Sequence, residues 1–241
     1  MSGLPDRCIC CGARTFAQAA ILWPELIDAW GLDAHEAAYV ELQQGWHCTA
    51  CGNNLRAMAL ARAILRTCGE REPLVSFVQS HRARAVRILE INEAGNLTPM
   101  LARMPNHRIV RFPAVAITAL PFPPGSFDIV CHSDTLEHVE QPVDALRECR
   151  RVLAPGGSVA YTVPVVSGRL TRRRAGLAPS YHGHAATLAR DMLVHTEYGA
   201  DAWRDLVDAG FDECRIIAVA PPAALALIGV AGDRWSGEPQ R

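Results

Sequence analysis

The chain has 241 residues, 49% hydrophobic and 20% charged, with a formal net charge of −1. That length can bury roughly 70% of the unfolded surface, in one large domain or a catalytic domain with a small appendage. No apolar run reaches the length of a membrane span, and near-neutral charge gives no general reason to expect a polyanion partner.

All 24 basic residues are arginine. The start, Met1 to Cys8, lacks the basic flank and apolar run of a secretory leader, so a cytoplasmic location is expected. Nine cysteines, an odd number, then point to metal ligation or burial rather than disulfides.

In chain order, the first pattern is helical. Ile21, Leu22, Leu26, Ile27 and Trp30 fall at helical spacing within 16–30, with Pro24 set to kink or restart the helix. Asp33 reads as the N-cap of a second helix running to about Gln44, with Glu36 three residues on. A third helix covers Leu55 to Thr67. Glu70-Arg-Glu-Pro73 breaks the pattern and marks a seam, giving a cysteine-rich module over 1–70 and a second domain over 71–232. Residues 233–241 read as a frayed tail.

From Ala85 strands alternate with helices. Strands are predicted at 86–91, 108–112, 127–132, 158–163, 215–219 and 224–230. Helices are predicted at 97–104, 142–153 and 200–209. Pro155-Gly-Gly157 stops the second of these. The alternation implies an α/β fold with a doubly wound, mostly parallel sheet.

Two C-x-x-C-G units stand out, Cys8-Ile-Cys-Cys11-Gly12 and Cys48-Thr-Ala-Cys51-Gly52. Each x-x spacing lets two thiolates face one tetrahedral centre. Together, Cys8, Cys11, Cys48 and Cys51 predict a structural Zn2+ with every position filled by protein. The other reading is four buried free cysteines. Cys10 is a bystander, and Cys68, Cys131, Cys149 and Cys214 read as core.

The stretch from Leu120-Pro-Phe-Pro-Pro-Gly-Ser-Phe-Asp-Ile-Val through Leu136-Glu-His-Val139, followed by Arg151-Val-Leu-Ala-Pro-Gly-Gly157, resembles the class I S-adenosylmethionine (SAM)-dependent methyltransferases. The knuckle start with Asn53-Asn-Leu-Arg56 is similar to a bacterial subgroup carrying a cysteine-rich module. The resemblance implies a Rossmann-like sheet of seven strands, SAM as cofactor and a small-molecule acceptor. It places the cofactor at Glu90, Asn92, Gly95, Ala116, Ile117, Ser133, Asp134 and Leu136. The chain departs from the family at the glycine positions, which fall on Asn92, Ala94 and Asn96. It also lacks the ribose-binding carboxylate after the second strand and the adenine-binding aspartate, whose place Ala116 takes.

Ligands of such sheets bind at the carboxyl ends of the strands. His138 is a candidate general base, set against a role in shaping the pocket wall and capping the next helix. The insertion 164–198 is the expected acceptor lid. It holds Arg169, Arg172, Arg173 and Arg174, suited to an anionic sugar or to plain solvation, and then Tyr181, His182 and His184. These two histidines are expected to face the acceptor rather than to hold a metal with Asp191.

The leading expectation is a SAM-dependent methyltransferase acting on a small molecule such as a sugar or glycan precursor. One alternative is an inactive binding or assembly protein with a protein partner at its N-terminal module. Another is an RNA methyltransferase, which the charge balance and the absence of a basic, aromatic patch disfavour.

Overall fold

The computed structural model describes residues 3–181, 192–220 and 224–232. The elements in chain order are β1 (Phe16–Gln18), α1 (Pro24–Trp30), α2 (Ala34–Gly45), β2 (Trp46–Cys48), α3 (Leu55–Thr67), α4 (Leu74–Val78), β3 (Ile88–Ile91), α5 (Thr98–Leu101), β4 (His107–Val110), β5 (Phe127–Ser133), α6 (Pro142–Val152), β6 (Leu153–Thr162), β7 (Val165–Val166), β8 (Arg172–Arg173), β9 (Thr196–Gly199), α7 (Arg204–Asp208), β10 (Glu213–Val219) and β11 (Ala224–Val230).

Six strands form the main sheet in the order β10-β11-β6-β5-β3-β4. The run from β6 to β4 is parallel, and β11 and β10 add antiparallel edges. The anticipated seventh strand does not form among the described residues. The chain after β4 instead runs through turns, tied down by Arg151, which donates to the carbonyls of Leu120 (3.0 Å) and Phe122 (2.8 Å). This leaves β4 as the edge strand.

Alternation along the strands splits the core into two layers. Ile88, Cys131, Ala160, Ala226 and Ile228 face α3. Leu89, Val130, Val159, Tyr161 and Leu227 face the side covered by α6 and α7. The α3 layer also contains Cys8, Ile9, Cys10 and Cys48. The cysteine knuckles, α3 and the sheet therefore share one core. The seam expected near residue 70 would separate α3 from the sheet it covers, whose aliphatic face has no other helix of that length to bury it.

The single helix expected over 16–30 divides. Phe16–Gln18 pairs with β2 as a two-stranded ribbon, and the helix begins at Pro24, whose fixed φ suits the first helical turn. The predicted cap of α2 is present. The Asp33 side chain accepts from Glu36 N (2.8 Å), and Glu36 accepts from Asp33 N (3.1 Å).

Candidate active site and cysteine centre

The parallel strands end at a cavity of ≈820 Å³. Its floor comes from Asn92 and Glu93 after β3, Phe112 after β4, and Asp134, Glu137 and His138 after β5. Its far wall comes from the N-terminal segment, with Trp23, Leu26 and Trp30 of the α1 region and Gln44 of α2. A polar recess adjoins it and shares Arg56, Asn92, Glu93 and Asp134 with it. That recess is walled by Gly52–Asn54 on one side and by Gly95, Asn96 and Ser133 on the other.

The loop after β3 turns without the family's glycines. Asn92 takes the left-handed conformation at φ 57° and Gly95 at φ 55°. Asn92 holds the turn by accepting from Phe112 N (2.9 Å) and donating to Thr135 Oγ1 (3.3 Å). Asparagine tolerates this region better than most residues. A Cβ on Gly95 would meet nothing within 4 Å, so the backbone there borders open space.

Of the residues anticipated for the cofactor, Asn92, Ala116, Ile117 and Asp134 line the large cavity, and Gly95 and Ser133 line the recess. Two do not reach either. Glu90 is fully buried, and both its oxygens are used inside the fold, by Ala94 N (2.8 Å), Thr98 Oγ1 (2.5 Å) and His107 Nε2 (2.7 Å). Leu136 is fully buried in the α6-side core. His138 lines the cavity, with Nδ1 3.0 Å from the Leu193 carbonyl. It does not cap α6, whose N-cap is Gln141 with no side-chain bond. His182, His184 and Asp191 lie outside the described residues.

Sequence reasoning missed Arg56 and Glu137 as site residues. Arg56 is the buried arginine of α3, donating to Asp134 Oδ1 at 2.5 Å while its Nε has no hydrogen-bond partner among the described residues. The signal was available, because Arg56 shares a stripe of α3 with Leu60 and Ala63 and so faces inward. Glu137 is buried where the cavity narrows. Burial, with the Asp134 carboxylate nearby, pushes its carboxyl well above the usual range.

The four arginines of the segment expected to form a lid are engaged in ion pairs. Arg169 pairs with Glu36 and donates to the Trp30 and Gly31 carbonyls, which ties that segment to α1 and α2. Arg172 and Arg174 pair with Glu197, and Arg173 pairs with Asp205 (2.5 Å). The run therefore acts as a structural clamp, with Arg172 and Arg174 sharing the single Glu197 carboxylate and the Arg172 side chain mostly exposed to solvent.

The four knuckle sulfurs lie within 4.8 Å of one another. Cys8 and Cys51 are 3.7 Å apart, and Cys11 and Cys48 are 3.6 Å apart. A tetrahedral ion with bonds of about 2.3 Å requires edges of about 3.8 Å, so the donor set fits zinc. Gly12 and Gly52 turn at φ 84° and 71°, and each donates its N–H to the carbonyl of the first cysteine in its pair (2.8 Å). Cys10 is buried outside the cluster. The Cys51 thiol is pushed up to about 12 by the adjacent Cys8 sulfur and by burial, so metal uptake would release protons.

Comparison with known proteins bears on this site. Residues 68–161 match the model of a methyltransferase domain family. No curated protein sequence matches the chain. Among solved structures, the chain is similar to a SAM-dependent methyltransferase from Thermotoga maritima, at 16% identity over 69% of this chain and 92% of that one, TM-score 0.40. It is also similar to the CMeT domain of the citrinin polyketide synthase, at 15% identity over 87% and 68%, TM-score 0.42. A third is the 4+2 cyclase SpnF, at 20% identity over 60% and 58%, TM-score 0.36. The chain thus spans under two thirds of the cyclase's length.

Proposed function

We propose that this chain, whose residues 68–161 carry the methyltransferase-domain match, is a SAM-dependent methyltransferase acting on a small molecule, with a structural zinc ion held by Cys8, Cys11, Cys48 and Cys51. The observation that carries the reading is the joined cavity and recess at the carboxyl ends of β3, β4 and β5. Their shared residues suit the two ends of SAM.

Arg56 would meet the carboxylate of the amino-acid end, since its Nε is a buried donor without a partner among the described residues, and Asp134 would meet the ammonium group. Glu93, beside the loop and paired with Arg111, stands in for the missing acid after β4 and would take the ribose hydroxyls. Phe112, Ala116 and Ile117 offer an apolar wall for the base. Bound there, SAM supplies a sulfonium methyl group to a lone pair of the acceptor, with the electrons of the broken bond returning to sulfur. The protein's task is then alignment and exclusion of water. The N-terminal wall of Trp23 and Trp30 serves the second.

Calorimetric titration with SAM and with S-adenosylhomocysteine tests this. A dissociation constant in the micromolar range is expected. Arg56→Met should weaken it about 10- to 100-fold, the cost of one buried charged hydrogen-bonding group. Absence of binding to the wild-type protein at millimolar ligand would leave the glycine-poor loop without a cofactor, and the chain would then be an inactive member of the fold.

A further inference from the structure

A second cavity, ≈190 Å³, lies beyond the first. The two share Trp30, Gln44, Glu137 and Pro164, so these four residues stand at the boundary between them. Leu32 and Val40 wall the small cavity on the α2 side, and Val165, Val166 and Val194 wall it on the side of the 164–198 segment.

Charge complementarity narrows what could enter. Of the two arginines at its edge, Arg169 is paired with Glu36, and Arg172 shares Glu197 with Arg174 while its side chain is mostly exposed to solvent. An anionic acceptor would lose its hydration and gain in return only a solvent-exposed cation already shared with a carboxylate. A sugar ring fails on a different count. The Tyr198 hydroxyl already donates to Asp205 Oδ2 (2.9 Å), and the Thr196 hydroxyl already accepts from Arg173 (2.7 Å). Gln43, Gln44, Ser180 and Glu137 remain as polar lining, but Leu32, Val40, Val165, Val166, Leu170 and Val194 face the rest of the ring, so a hydroxyl on every carbon would leave several unpaired, each costing about 1–3 kcal/mol. Size narrows it further. Apolar cavities of about 150 Å³ take a benzene ring, so ≈190 Å³ has room for one ring of phenol size.

We propose that this cavity is the acceptor subsite and that it takes an uncharged, mainly apolar ring of phenol size, with its polar atom at the Glu137–Gln44 boundary facing the cofactor cavity. The inference rests on the methyltransferase reading for the reaction, but the cavity's ligand preference can be measured separately. The boundary is where an acceptor atom would leave the apolar cavity and enter the large one. Glu137 and Gln44 are the polar groups there able to orient it.

The test is calorimetry of the full chain, with and without saturating S-adenosylhomocysteine, against phenol, 4-methylphenol, benzoate, phenyl phosphate and methyl glucoside. The two phenols are expected to bind at least tenfold more tightly than the other three. Val40→Phe and, separately, Val166→Phe should fill the cavity and reduce phenol affinity at least tenfold, with S-adenosylhomocysteine affinity unchanged. Two variants on opposite walls guard against one that fails to fold. Preferred binding of benzoate, phenyl phosphate or the glucoside overturns the proposal. So do phenol binding unaltered in both folded variants, and no phenol binding in either form of the protein. Failure of the wild-type protein to bind S-adenosylhomocysteine counts against the methyltransferase reading alone, because the phenol titration without it still decides the cavity's preference.

Discussion

His132 sits in the middle of β5 with no solvent exposure, its ring stacked on Tyr161 at 4.8 Å. Neither ring nitrogen has a hydrogen-bond partner among the described residues. Burial pushes its pKa down to about 3, so the folded protein keeps it neutral, while the unfolded chain protonates it near 6.5. Stability from this residue is therefore complete above about pH 6.5 and is lost as the pH falls toward 3, at up to about 1.4 kcal/mol per pH unit. Urea unfolding at pH 7.5 and 5.5 should show this loss, and His132→Phe, which keeps a ring against Tyr161, should reduce it by about 1 kcal/mol. An identical loss in the variant would assign the acid sensitivity to other groups. Glu90 makes a related point. A carboxylate at the end of the first parallel strand matches the family pattern, but its burial leaves both oxygens to the fold, and Glu93 takes the position that faces the cavity.

At the level of elements, α2 shows how local signals build one wall of the second cavity. Its capping box satisfies two N-terminal donors, and its last turn carries Gln43 and Gln44 toward the cavities. Asp33→Ala should cost about 1 kcal/mol, read as a lower urea midpoint at constant slope. A variant indistinguishable from wild type would mean that Arg169, clamped on Glu36, holds the helix start without the cap. The same cap was readable in the sequence, as were α3, α6 and all six strands of the main sheet, because each is a short periodic run bounded by a cap, a proline or a glycine. The ribbon strand β1 was not readable. Phe16 stacks on Trp46 at 4.1 Å, thirty residues away in sequence, and no local periodicity encodes that partner. That the main sheet has six strands among the described residues, and not the seven the resemblance implies, was unreadable for the same reason, since the arginine that secures the turns after β4 lies on α6. The site was legible where it follows a strand end, at Asn92 and Asp134. It was not legible at Arg56 and Glu137, whose roles depend on which face each buries.

For the whole molecule, the decisive fact is that the cysteine centre and the sheet share a core. Cys8, Cys10 and Cys48 pack in the same cluster as Leu55 to Leu65 of α3 and as Ile88, Ala226 and Ile228 of the sheet. The centre also abuts the loop after β3. A Cβ built on Gly52 would lie 2.6 Å from Asn96 Nδ2, so the second knuckle and the loop after β3 touch with no room to spare. Metal analysis should give one zinc per chain. Removing it with a strong chelator, or by Cys51→Ser, should lower a single thermal transition rather than split it in two. A loss of several kcal/mol would move the midpoint of a chain this size by about 10 °C or more. SAM affinity should fall in the same preparation, because Asn96 packs against the knuckle at Gly52 and Arg56 sits in the first turn of α3, directly after the knuckle. An early, separate transition that leaves the main one and the SAM affinity unchanged would instead make the first 70 residues an independent module. Coupling is expected because α3 cannot be removed from the sheet without exposing the aliphatic layer it covers.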